Sequence, residues 1–116
     1  MINKRDTSDL AELRISPRVR VSRPVQIRNQ NVTLMYAIST DVSQHGLGIL
    51  ASRPLLEGQK CTFSFDVNKG GMRATITVDG TVCYNHPVVP RGVRIGIKVS
   101  KIHPSSANVL MNFLKN

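Results

Sequence analysis

Hydrophobic and polar residues alternate with a period of two along most of the chain from Val19 to Val99. Because successive side chains of a strand point to opposite faces, this alternation predicts β-strands with one apolar face. Polar, glycine-containing and proline-containing segments interrupt the pattern and mark turns or loops. The alternation therefore predicts six strands, within residues 19–28, 32–40, 47–51, 62–67, 74–85 and 93–99.

Local residue signals refine this strand pattern. Turns are predicted at residues 29–31 and 68–71, and Asp79-Gly80 indicates a bulge within the fifth strand rather than its end. Pro24 has no amide hydrogen, so it indicates an edge strand or a bulge in the first strand. A loop is predicted from His86 to Arg91, which includes two prolines.

The period changes only after Pro104, where four hydrophobic residues fall on one helical face: Val109, Leu110, Phe113 and Leu114. This pattern predicts a C-terminal α-helix over residues 104–115, with Ser105 or Ser106 as its N-cap. A helix this short is marginal on its own, so we expect it to pack against the sheet.

These elements predict a mainly β fold, a six-stranded antiparallel β-barrel with a C-terminal α-helix, because closure of the sheet removes exposed edges. The 116 residues support one domain. Residues 13–116 form this predicted domain, and residues 1–12 form a polar N-terminal tail or a single helical turn.

Composition excludes several protein classes. With 41% hydrophobic and 20% charged residues the chain is globular, and it has no apolar run near the roughly 20 residues that cross a bilayer. Without a secretory signal, we expect a cytoplasmic protein whose two cysteines, Cys61 and Cys83, are buried thiols. The three histidines lack metal-ligand spacing, and no catalytic motif is present, so we expect neither a cofactor, nor a metal site, nor enzymatic activity.

The formal net charge of +9 is unevenly distributed. The segment from Leu13 to Arg28 has no acidic residue and five arginines, namely Arg14, Arg18, Arg20, Arg23 and Arg28. Such a segment indicates an anionic partner, since a guanidinium binds a phosphate or a guanine edge through two hydrogen bonds. The alternative is a solvated basic face that keeps the protein soluble.

Two short motifs narrow the choice of anion. Arg14 and Arg18 form an RxxxR pattern before the predicted barrel, and Asp41, Ser43 and Gly46 form a DxSxxG pattern between the second and third strands. In this order and strand context, with a last strand reading VRIGIKV at 93–99, the sequence resembles the PilZ domain family. The resemblance runs from about Leu13 to the C-terminus and implies a bacterial receptor for cyclic di-GMP.

The resemblance also implies roles for individual residues. Arg14 and Arg18 would pair with phosphate, bind a guanine edge or stack on a base, and Asp41 would accept the guanine N–H groups. Ser43 would make a polar or phosphate contact, and Gly46 would allow close backbone approach or form the turn. The structural alternative is an Asx-type turn with a bulge and a solvated arginine loop.

Further residues belong to the predicted ligand site. Tyr84 occupies a place where PilZ proteins often have an aromatic residue, so its ring would stack on guanine, or else belong to the core or its rim. Arg20 and Arg23 would add positive field without direct contact. In the family, the position of Leu13 is linked to stoichiometry, and leucine there favours one ligand molecule over an intercalated dimer.

The predicted mechanism is a switch without catalysis, in which the dianion draws the Arg14–Arg18 segment over the barrel and a separate downstream protein detects the change. The first alternative is a basic nucleic-acid-binding barrel of OB or cold-shock type, which the shortage of stacking aromatics argues against. The second is a PilZ-like adaptor for pilus or motility proteins that does not bind the ligand. Motility and biofilm formation are downstream pathways that the family resemblance implies, and the sequence does not identify the downstream protein.

Overall fold

The computed structural model describes residues 18–115, so Leu13, Arg14 and the predicted tail lie outside the described residues. Alternating sequences form seven strands, and one helix follows them within the described part. The strands are β1 (Val19–Arg20), β2 (Pro24–Asn29), β3 (Val32–Val42), β4 (Gly46–Ala51), β5 (Lys60–Lys69), β6 (Met72–Val88) and β7 (Gly92–Ile102). The helix α1 spans Pro104–Leu114. The mainly β class and the C-terminal helix are thus confirmed.

All strand pairs are antiparallel, and the sheet closes on itself in a ring. The strand order is β1-β3-β2-β5-β6-β7-β4, and the pairing of β4 with the end of β3 completes the ring. Strand β3 is long enough to pair with β2 through its first part and with β1 and β4 through its last residues. The end of β3 is therefore the meeting point of three strands.

The structure has seven strands rather than the predicted six, because the first predicted strand is interrupted before Pro24. The buried hydroxyl of Ser39 accepts a hydrogen bond from the Arg23 amide at 2.9 Å and donates to the Val21 carbonyl. These bonds satisfy backbone groups that a regular ladder would otherwise have paired. The predicted loop at 86–91 is also shorter, since β6 and β7 remain paired as far as Val88 and Gly92.

Two predicted turns and the predicted bulge are confirmed. Gln30 and Asn31 have positive φ angles of 50° and 68°, and Gly70 and Gly71 have 61° and 79°, which suits tight hairpin turns. The register between β6 and β7 shifts between Asp79 and Gly80, as expected for a bulge within a continuing strand.

The inward side chains of the strands form an aliphatic core inside the ring. Phe63 is fully buried and lies opposite Ile27 of β2 and Val78 of β6 in the register. Cys61 is buried as predicted, but Cys83 is only half-buried, because it follows the inward Val82 at a second register shift between β6 and β7, between Val82 and Tyr84. Within the described residues, neither cysteine forms a disulfide bond.

Helix α1 packs against β6 and the core. Leu110 is fully buried, and the other three residues of the predicted helical face are half-buried against the core. The N-cap is His103 rather than Ser105 or Ser106, and it makes no side-chain capping bond. Ser106 is buried instead, and its hydroxyl accepts a hydrogen bond from the Thr77 amide at 2.8 Å, which ties the helix to β6.

His103 also links the start of the helix to Asp79 of β6. Burial raises the pKa of Asp79, but hydrogen bonds from His103 (2.9 Å) and Thr62 (2.8 Å), with the charges of His103 and Lys101, outweigh it and lower the pKa below its ordinary value. A carboxylate with a lowered folded-state pKa stabilises the fold above its unfolded pKa and loses this effect as pH falls through the folded value.

We therefore expect Asp79→Asn to lower the free energy of unfolding near pH 7 by less than about 1 kcal/mol, since the pair is partly exposed. The difference from wild type should shrink as the pH falls below the ordinary aspartate pKa of about 4 and through the lower folded-state value. Urea unfolding at several pH values measures it. An equal difference at all pH values would contradict the role of the ionised carboxylate.

In the part of the chain that the structure describes, no helix is long and apolar enough to cross a membrane. Within residues 18–115, no three His, Cys, Asp or Glu side chains come together as metal ligands.

Candidate functional site

A groove of about 740 Å³ lies on the outer face of the ring, where the end of β3 meets β1 and β4. Three arginines, one aspartate and several apolar side chains line it. The lining residues are Arg18, Arg20, Val21, Ser22, Ile38, Ser39, Thr40, Asp41, Leu50 and Arg94. Three positive charges against one negative charge leave this lining with a net charge of +2, which suits an anion.

Asp41 is the acidic centre of the groove. Its Oδ2 pairs with Arg18, and its Oδ1 accepts a hydrogen bond from the Thr40 hydroxyl at 2.9 Å and lies 3.7 Å from Nη2 of Arg94. The Asp41 side chain is 12% exposed, whereas those of Arg18 and Arg94 are 34% and 46% exposed. The carboxylate is thus nearly buried between two arginines that still reach solvent.

Two glycines make room for the outer-face side chains. Gly48 of β4 lies opposite Asp41 in the register, and a Cβ at this position would overlap the Asp41 carboxylate. Gly96 of β7 lies opposite both Gly48 and Tyr84, and a Cβ there would overlap the Tyr84 ring. The Asp41 carboxylate therefore covers Gly48, and the Tyr84 ring covers Gly96, which is the neighbour of Gly48 on the next strand.

The position of Tyr84 over Gly96 shows whether its ring belongs to the core or to the rim of the core. The ring lies on the outer face, half-buried over Gly96, rather than inside the core. Opposed Cβ positions in a sheet are about 5 Å apart, so the ring over Gly96 and the carboxylate over Gly48 are close neighbours. Tyr84 is positioned at the edge of the site that contains Asp41, and its contact with a ligand stays a prediction.

Ser43 and Gly46 form the turn that carries Asp41. The Ser43 hydroxyl is fully buried and accepts hydrogen bonds from the amides of Gly46 (3.0 Å) and His45 (3.3 Å). The Ser43 amide in turn donates to the Gly46 carbonyl at 2.8 Å. Neither residue lines the groove, so in this state both act by fixing the end of β3 against β4, and their contact with a ligand stays a prediction.

Of the other predicted residues, Arg20 and Arg23 line two different grooves. Arg20 lies opposite Asp41 on β1 and lines the same groove. Arg23 lies instead in a neighbouring groove, where its Nε donates to the Asp66 carbonyl at 3.0 Å. The predicted ligand residues Leu13 and Arg14 lie outside the described residues.

Sequence reasoning missed Arg94 and the two glycines that make room for the site, Gly48 and Gly96. It also missed the uncharged residues of the groove lining, which are Val21, Ser22, Ile38, Ser39, Thr40 and Leu50. Alternation along β7 placed Arg94 among the outward residues, but only the pairing of β7 with β4 and of β4 with β3 brings it to Asp41. Gly96 and Gly48 are spaced as outward residues of their strands, which is a weak signal for a close approach.

The match to protein families decides the classification. The sequence matches the family described as PilZ domain over residues 12–116. The chain belongs to the PilZ domain family. The motifs that carried the resemblance lie within the matched region, and the described part of the PilZ domain places Arg18 on Asp41 as one ion pair.

A solved structure with a similar fold is that of the Bacillus subtilis inhibitor of motility, MotI/DgrA. It matches with a TM-score of 0.74 at 13% sequence identity, over 88% of this PilZ domain chain and 49% of that protein. The chain thus spans about half the length of that protein, and at this identity the likeness concerns the fold. No curated protein matches the sequence significantly.

Proposed function

We propose that this PilZ domain binds cyclic di-GMP in the outer groove and acts as an adaptor rather than an enzyme. The observation that carries the proposal is the ion pair between Arg18 of the RxxxR motif and Asp41 of the DxSxxG motif, which brings the two family motifs together at one carboxylate. A groove lining with a net charge of +2 complements a ligand whose two phosphodiesters carry one negative charge each.

The lining residues can supply each kind of contact that this ligand needs. Asp41 would accept the guanine N1 and N2 hydrogens, because a carboxylate is an acceptor for two parallel donors. Arg18, with Arg14, would bind phosphate, a guanine edge or a base face. Val21, Ile38 and Leu50 offer apolar walls to the purine rings. Tyr84 is not part of the groove lining, but its ring lies over Gly96 and would offer a stacking surface beside the groove.

The Arg18–Asp41 ion pair supports a switching mechanism. For guanine to reach the carboxylate, Arg18 must give up its contact with Oδ2 and find new acceptors on the ligand. Because Arg18 directly follows the segment that contains Arg14, this exchange would reposition the arginine-rich segment over the groove. A separate protein would then recognise the changed surface, and differential contacts of this kind are what shift a conformational equilibrium.

Isothermal titration of the full chain with cyclic di-GMP tests this function. We expect a dissociation constant of about micromolar or tighter. Arg18→Ala should lose most of this affinity, because the ligand loses a charge-assisted contact. Arg53→Ala is the matched control, since Arg53 is exposed and donates to the Leu34 carbonyl outside the groove.

Two outcomes would overturn the proposal. Absence of binding by the wild-type chain would leave the PilZ-like adaptor that does not bind the ligand. Tighter binding of a single-stranded oligonucleotide, with affinity falling steeply as salt rises, would favour the nucleic-acid alternative. The structure argues against the latter, since Phe63 and Phe65 are buried and only Tyr36 among the described aromatics is largely exposed.

A further inference from the structure

Arg94 reaches the groove from outside both sequence motifs. It lies on β7 opposite Leu50 of β4, and Leu50 lies opposite Ile38 of β3, so the three side chains share the outer face. The guanidinium extends along this face until its Nη2 is 3.7 Å from Asp41 Oδ1. Arg94 is therefore a neighbour of Asp41 in space although the two residues are far apart in sequence.

The two arginines contact different oxygens of Asp41. Arg18 pairs with Oδ2, whereas Arg94 is near Oδ1, which already accepts the Thr40 hydroxyl at 2.9 Å. A separation of 3.7 Å exceeds the roughly 3.2 Å limit of an N–H···O hydrogen bond, so charge attraction alone accounts for the Arg94 contact. The Arg94 guanidinium thus lies beside Oδ1 with donors to offer a ligand.

The Watson–Crick edge of guanine presents the N2 amino group, the N1 hydrogen and the O6 oxygen in a row. When a carboxylate accepts the N2 and N1 hydrogens, a donor beside the oxygen that receives N1–H faces O6. Arg94 is the group beside Oδ1. We propose that Arg94 donates to O6 of the guanine whose N1 and N2 hydrogens Asp41 accepts, which makes Arg94 a specificity-determining residue. This inference rests on the proposed cyclic di-GMP function.

The Asp41–Arg94 pair would distinguish guanine from adenine. Adenine has an amino donor where guanine has O6, and an acceptor at N1 where guanine has a hydrogen. An adenine edge would therefore set a donor against Arg94 and an acceptor against the carboxylate. A site built to hydrogen-bond one edge rejects the other strongly, because its polar groups are left without partners.

Arg94→Met tests the assignment, because methionine has a similar length and no donor. We expect this variant to bind cyclic di-GMP about 10- to 100-fold more weakly than wild type by isothermal titration. The affinity for cyclic di-AMP, measured by NMR titration up to millimolar concentration, should not fall in the same proportion between wild type and the variant. Arg91→Met is the matched control, since Arg91 is exposed in the β6–β7 turn and does not line the groove.

The complex itself gives an independent readout. A crystal structure of the wild-type chain with cyclic di-GMP should place an Arg94 nitrogen about 2.7–3.2 Å from a guanine O6. Arg94 on a phosphate oxygen or in solvent, or equal weakening of both dinucleotides, would overturn the inference and leave the proposed function intact. Absence of cyclic di-GMP binding by wild type would overturn both.

Discussion

Replacing Asp41 with asparagine is expected to weaken cyclic di-GMP binding at least about 100-fold. The amide keeps the shape of the side chain but removes the negative charge, and its NH2 group turns a donor toward the guanine donors. A lost charge-assisted hydrogen bond together with a donor facing a donor costs several kcal/mol, which accounts for a change of this size. Isothermal titration measures the loss.

Asp66→Asn is the matched control for this variant. Asp66 is also on the outer face of the ring and pairs with an arginine, Arg73, at 3.0 Å, but it lines the neighbouring groove. It should bind cyclic di-GMP like wild type. Asp41→Asn should also remain folded, because the two arginines released from Asp41 are partly exposed to water. Binding by Asp41→Asn within tenfold of wild type would contradict the central role of the carboxylate.

The alternation of side chains was sufficient to predict most of the fold, because it depends on the burial of one face of each strand. Phe63 and Phe65 are buried as their spacing indicates, and the bulge at Asp79-Gly80 follows from local residue types. The break between β1 and β2 could not be predicted in this way. It depends on the hydroxyl of Ser39, which comes from another strand, and local patterns contain no information about such a partner.

The same limit applies to the candidate site. The family resemblance implied that Arg18 and Asp41 contact the same ligand, and the structure joins the two residues in an ion pair. Arg94 joins them through two successive strand registers, and a shift of one residue in either register would turn its side chain away from the groove. Ser43 is the opposite case, because the motif predicted it to contact the ligand. In the structure its hydroxyl instead accepts hydrogen bonds from backbone amides of the turn.

Replacing Phe63 with alanine is expected to cost about 3–5 kcal/mol of the free energy of unfolding. Phe63 is fully buried at the centre of the ring, opposite Ile27 and Val78, and the surrounding strands are held by their ladders. The cavity left by the ring can therefore collapse only in part. Since domains of this size are stable by about 5–15 kcal/mol, the variant would lose a large fraction of its stability.

Guanidinium chloride unfolding measures this effect as a lower midpoint with an unchanged slope. Tyr36→Ala is the control, because Tyr36 is an aromatic residue of the same sheet with 65% of its surface exposed, and its removal should change stability by about 0.5 kcal/mol or less. A cost below about 1 kcal/mol for Phe63→Ala would mean that the ring interior can relax. The outer groove would then rest on a deformable sheet, and a fixed distance between Asp41 and Arg94 could not set base specificity.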